Sequence, residues 1–214
     1  MMKYVVELIG TFFLVLTIGN CVLAPNDAVG NMAPLAIGSA LMVMIFAGGH
    51  VSGAHYNPAV TLAVFLRGKC PAADVLPYIA AQVVGAAAAA AIVLYLKGLS
   101  GIPPATPIPA DNILRAIVAE FLYTFALCYV VLNVATAKGT SGNSFYGLAI
   151  GFTVLTGAYS VGAISGGAFN PAVAVGLIVL GKVAATSIWI FLVANFAAGA
   201  AAAFVFKTIN PTDK

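Results

Sequence analysis

Two copies of one tripeptide, Asn57-Pro58-Ala59 and Asn170-Pro171-Ala172, stand 113 residues apart. Average residue usage expects such a tripeptide at about one position in ten thousand, so a pair in register asks for a physical reason. Proline suits the first turn of a helix, where its missing N–H would have no partner anyway. The asparagine before it then sits at the helix N-terminus and offers amide N–H donors. The helix dipole is positive at the same end. Two such ends converging on one point repel a cation and turn the oxygen of a small neutral molecule toward both amides. The donor–acceptor chain along which protons hop is interrupted there. The chemistry is selection of what passes, with no bond made or broken.

Each motif opens an apolar segment of about ten residues, near 57–66 and 170–179. Ten helical residues span roughly 15 Å, half a bilayer core. The stretches before them, Gly48 to Tyr56 and Gly162 to Phe169, are rich in glycine and are expected to be non-helical. Irregular backbone at membrane depth survives only where it is buried in protein or lines a wet cavity. The expectation is two re-entrant loops with half-helices. Carbonyls of Gly53, Ala54 and His55, and of Gly166, Gly167 and Ala168, would form the acceptor ladder. Of the two histidines in the first loop, His55 is expected to face the pore mouth and His50 to satisfy loop backbone.

The rest of the chain must hold these pieces in a membrane. Of 214 residues, 62% are hydrophobic and only 7% charged, against about a quarter charged in a soluble domain. A net charge of +3 gives no reason to expect a nucleic-acid partner. Cys21, Cys70 and Cys128 are too few and too scattered for a disulfide framework, and no metal or cofactor is expected. Six stretches are long enough to span: 4–24, 34–54, 75–97, 112–136, 144–163 and 185–207. Pro25-Asn26-Asp27 ends the first, and the one long linker holds Pro103, Pro104, Pro107 and Pro109. With both termini cytoplasmic, that side holds Lys3, Arg67, Lys69, Lys138, Lys207 and Lys214, against Lys97, Arg115 and Lys182 on the other. The asymmetry follows the positive-inside rule.

Shifted by 113 residues, the chain matches itself without a gap: Glu7 on Glu120, Thr11 on Thr124, Gly38 on Gly151, Ser52 on Ser165, and Asn57 to Val60 on Asn170 to Val173. The organisation read from this is a first repeat over 1–98, a linker at 99–111 and a second repeat over 112–214. Each repeat has three spans, an odd number, so the second is inverted and the broken helices meet near the midplane. Glu7 and Glu120 lie at membrane depth, where a lone carboxylate otherwise reads as a proton relay or ion site.

The paired motifs, the run Ser52-Gly53-Ala54-His55-Tyr56-Asn57-Pro58-Ala59-Val60-Thr61 and the glutamate at the same place in both first helices resemble the aquaporin, or major intrinsic protein, family over essentially the whole chain. The resemblance implies an all-α integral membrane fold with six spans and two half-helices, one pore per subunit, a homotetramer in the cell membrane, and a channel that is not an enzyme. It implies that Glu7 and Glu120 support the loops by accepting hydrogen bonds from their backbone.

One position departs from the water-selective pattern. Typical members carry an arginine after the second motif, where this chain has Val173. Its companions in the outer constriction, by the same correspondence, are Ile37, Ala158 and Gly167. Water channels usually have an aromatic residue at the place of Ile37 and a histidine at that of Ala158. Leu192 leans toward the glycerol type and Ala174 away from it. The expectation is a wide, mostly apolar filter passing water and small neutral solutes, with glycerol, urea, ammonia and hydrogen peroxide as candidates. The alternative is a water-selective pore narrowed by Phe121, Tyr123, Tyr159 or Phe169. A non-conducting junction protein, an inverted-repeat secondary transporter and an intramembrane enzyme are the rivals from other classes; the last lacks a nucleophile–base pair in the spans.

Overall fold

The computed structural model describes residues 1–23, 30–99, 103 and 105–213. Pro25-Asn26-Asp27, Pro104 and Lys214 lie outside them. The described residues form eight α-helices: α1 (Met2–Val22), α2 (Ala33–Ser52), α3 (Pro58–Leu66), α4 (Ala72–Leu96), α5 (Ile113–Val131), α6 (Tyr146–Ser165), α7 (Pro171–Val179) and α8 (Ile188–Ile209). A π-helical turn, Leu132–Thr136, prolongs α5. Six segments are long and apolar enough to cross a membrane, and α3 and α7 are the two nine-residue helices between them.

Two stretches expected to be irregular are helical over about their first half and irregular after it. α2 continues through Gly48-Gly49-His50-Val51 to Ser52 and α6 through Gly162 to Ser165. A glycine in a helix loses only about 1 kcal/mol against alanine, too little to end one by itself. What stops both helices is the next glycine: Gly53 at φ 83° and Gly166 at φ 95°, each donating its N–H back four residues, to Gly49 and Gly162. Only glycine enters that left-handed region without strain.

The packing is paired. α1 lies against α4 and α2, α5 against α8 and α6, and α2 crosses α6. The crossing of α2 on α6 is so close that a Cβ on Gly38 would stand 2.7 Å from the carbonyl oxygen of Gly151. The alanine runs of α4 and α8 seat the half-helices: α3 rests on α8 and α7 on α4. Ala86, Ala89, Ala90, Ala198, Ala202 and Ala203 are fully buried or nearly so. A Cβ on Gly199 of α8 would come within 2.6 Å of the Ala59 carbonyl of α3. Small side chains therefore let the backbones meet.

Candidate functional site

Each half-helix is capped by its own asparagine. Asn57 Oδ1 accepts from the Ala59 N–H at 2.8 Å, and Asn170 Oδ1 accepts from Ala172 at 2.9 Å and Val173 at 3.4 Å. With Pro58 and Pro171 at the first helical positions, both starts are fixed locally. The amide nitrogens reach across the molecule. Asn57 Nδ2 donates to the Phe169 carbonyl at 2.9 Å, and Asn170 Nδ2 donates to the Tyr56 carbonyl at 2.8 Å. One N–H on each amide remains, and both side chains line the same cavity.

The loops between Gly53 and Asn57, and between Gly166 and Asn170, hold three non-glycine residues in the left-handed region: Ala54 at φ 51°, Tyr56 at 50° and Phe169 at 48°. Such residues are destabilised by about 1–3 kcal/mol each and persist only when their surroundings impose them. Two buried carboxylates do so. Glu7 Oε1 accepts from Ser52 Oγ at 2.7 Å and His55 N at 2.9 Å; its Oε2 accepts from Tyr56 N at 2.7 Å and Gln82 Nε2 at 2.8 Å. Glu120 repeats the arrangement, with Ser165 Oγ at 2.6 Å, Ala168 N at 2.9 Å and Phe169 N at 2.7 Å.

The fourth partner of each carboxylate is a residue that the sequence reasoning missed. Gln82 comes from α4, and Asn195, 113 residues later, comes from α8. Oriented with its nitrogen toward Glu120, the Asn195 amide lies 3.2 Å from Oε2 and 2.9 Å from Thr124 Oγ1, while its oxygen accepts from Asn170 N at 3.0 Å. The shift that aligns the motifs also aligns these two polar residues inside alanine-rich spans; that was the available signal.

A cavity of about 350 Å³ runs past both asparagines. It is lined by Ile37, Ala158, Gly167 and Val173, by Ala54, His55, Gly166, Ala168 and Phe169, and by aliphatic residues of α1, α2, α5 and α6. Gly53 lies elsewhere, on a second cavity of about 750 Å³ that meets the first at Ile45 and Ile150. His50 lies in the last turn of α2 on that second cavity, not in a loop. His55 is buried deep beside Asn57, its Nδ1 3.1 Å from Thr61 Oγ1. Of the four aromatic residues that could narrow the passage, Phe169 lines the cavity and packs on Tyr123, ring centroids 5.6 Å apart. Tyr159 turns its hydroxyl to the Asn31 carbonyl at 2.8 Å, and Phe121 stacks on Phe125.

The second cavity is walled by the π-helical turn and the segment after it. Thr140 and Asn143 bond the carbonyls that the turn releases. Next to Lys138 on this wall, the Asp213 carboxylate accepts from the Lys138 N–H at 2.8 Å and from Arg67 Nη2 at 2.6 Å. The Lys138 N–H, and then the nearby Arg67 charge, hold the Asp213 carboxyl below its ordinary range. Arg67, just past the end of α3, also lies over the Phe206 ring, 4.7 Å from its centroid.

A family model described as Major intrinsic protein matches residues 1–206. Aquaporin NIP1-3 of Oryza sativa subsp. japonica is 39% identical, over 99% of this chain and 75% of its own length. Aquaporin NIP1-1 of Arabidopsis thaliana is 38% identical over the same shares. Among solved structures, the aquaglyceroporin from Plasmodium falciparum matches 98% of this chain and 96% of its own with a TM-score of 0.80, at 22% identity.

Proposed function

The chain belongs to the major intrinsic protein family: it is an integral membrane channel for water and small solutes, not an enzyme. On that premise we propose that its pore is wider than that of a strict water channel and admits glycerol, urea, ammonia and hydrogen peroxide as well as water. The observation that carries this reading is Val173, which lines the cavity with Ile37, Ala158 and Gly167 where a water-selective member would carry arginine. Four small or aliphatic residues leave the constriction short of side-chain donors, so a solute is held by backbone carbonyls and by the two asparagine amides.

Ions are excluded at the asparagine pair, where the positive ends of α3 and α7 meet over Asn57 and Asn170. The same bonds made by Glu7 and Glu120 to matching loop atoms support the inverted repeat of 1–98 and 112–214 about the 99–111 linker. In this reading Glu7 and Glu120 hold the loops and do not relay protons along the pore. The channel works as a homotetramer in the cell membrane, with both termini cytoplasmic.

Stopped-flow light scattering on proteoliposomes tests the filter. Urea and glycerol uptake should be fast and should fall at least tenfold in Val173→Arg, with water flux falling less. A second reading, a water-selective pore, is favoured by Phe169, an aromatic ring on the cavity wall. Water flux without urea or glycerol uptake would establish that reading and remove the first.

A further inference from the structure

The cavity wall contains one lysine among its described residues. Lys182 lines the outer stretch of the same cavity as Val173, Leu177 and Val183, at the end opposite the second cavity. Its place is set by the turn that closes α7: Gly181 at φ 64° reverses the chain, and the Lys182 N–H donates to the Leu177 carbonyl at 2.8 Å. α7 ends at Val179 and Gly181 turns the chain, so Lys182 stands past the outer end of the half-helix, whose axis rises roughly 9 Å from Val173 to that end. No aspartate or glutamate is among the described residues lining either cavity.

We propose that Lys182 is a specificity-determining residue, the charge at the pore mouth that turns cations away before they reach a filter without arginine. The proposal rests on the channel reading above. An apolar filter rejects ions by refusing to replace their water, but it does not distinguish a large, weakly hydrated cation from a neutral molecule of the same shape. A positive charge at a low-dielectric mouth does, because the walls focus its field along the passage and lower the local cation concentration. The mouth charge then adds to the barrier at Asn57 and Asn170 in separating a planar amide from its charged analogue, where the apolar filter adds little.

Urea and guanidinium supply that comparison, being nearly equal in size and differing in charge. Uptake of each into proteoliposomes is measured for the unchanged protein, Lys182→Arg and Lys182→Glu, with water flux recorded on the same vesicles. The guanidinium-to-urea uptake ratio is expected to rise about tenfold in Lys182→Glu and to stay unchanged in Lys182→Arg. The rise should shrink as ionic strength passes 0.1 M, where screening reaches about 10 Å; a packing defect would not respond to salt. Should urea fail to enter the unchanged protein, the wide filter is wrong. Guanidinium admitted by Lys182→Glu then shows as a slowing of water flux from outside, which Lys182→Arg lacks. An equal ratio in all three proteins overturns the role of Lys182, as does, for a narrow pore, equal sensitivity of water flux to guanidinium.

Discussion

Asn57 donates its amide to the carbonyl of Phe169 at 2.9 Å, a bond across 112 residues that ties the first half-helix to the second loop. Its counterpart from Asn170 to Tyr56 is 2.8 Å. Each asparagine therefore caps its own helix and holds the opposite loop, which leaves one N–H of each amide for the cavity both residues line.

Asn57→Asp keeps the cap and removes the cross-loop donor. The carboxylate then faces the Phe169 carbonyl with no proton between them. Loss of a buried bond of this kind destabilises by about 1–3 kcal/mol. A lower unfolding midpoint in detergent and a proton leak read with a pH-sensitive dye inside vesicles are expected together. Retention of both wild-type values would remove the cross-tie from the account of the pore.

Gln82 and Asn195 occupy matching places but differ in what they satisfy. Asn195 serves Glu120, Thr124 and the Asn170 N–H, whereas Gln82 Oε1 has no hydrogen-bond partner among the described residues. Asn195→Leu should therefore lower the unfolding midpoint more than Gln82→Leu, by an extra unpaired N–H worth about 1–3 kcal/mol. Equal losses would mean that the contact with Asn170 contributes nothing.

Gly199→Val would drive side-chain carbon into the Ala59 carbonyl, where a single Cβ already stands at 2.6 Å. Overpacking of this kind destabilises by about 1–3 kcal/mol. Because α3 must move to make room, water flux should fall with stability. Gly199→Ala should fall between the two, and a stable, fully conducting valine variant would show that α3 does not need this seat.

The tail contact has a pH signature. Asp213 is held below its ordinary 3.8, first by the Lys138 N–H and then by the Arg67 charge. A depressed carboxyl adds stability above its ordinary value and loses it as pH falls through the depressed one. The contact is thus intact at neutral pH. Hydrogen-exchange protection of the Lys138 amide, corrected for intrinsic rate, should persist at neutral pH and drop below 3.8. In Asp213→Asn that drop should vanish.

Much of this molecule is legible in its sequence because lipid leaves few options. Apolar length gave six spans whose described ends fall within three residues of the helices, apart from α5, whose last turn becomes π-helical. Spacing also drew attention to Asn57 and Asn170, since proline and asparagine fix a helix start locally. The helical state of Gly48 to Ser52 and Gly162 to Ser165 is not legible, because glycine's small helix cost does not end a helix until one residue turns left-handed, at Gly53 and Gly166. Gln82 and Asn195 are paired by the repeat, but nothing local to a polar side chain in an alanine-rich span says which buried group it will bond. The Arg67–Asp213 contact lies beyond any local pattern: it joins residues 146 positions apart, and only the closed bundle brings them together.

The crossed amides also set an order of assembly. When the first three spans leave the ribosome, the Tyr56 carbonyl lacks the Asn170 amide it will finally accept, and the Asn57 amide lacks the Phe169 carbonyl. Both bonds wait for the chain from the end of α4 at Leu96 as far as Phe169 and Asn170 to be made and inserted. Contacts so distant in sequence form late, because the intervening chain must be ordered first. The asparagine pair therefore closes only after the second loop is in place, and the first repeat alone cannot complete it.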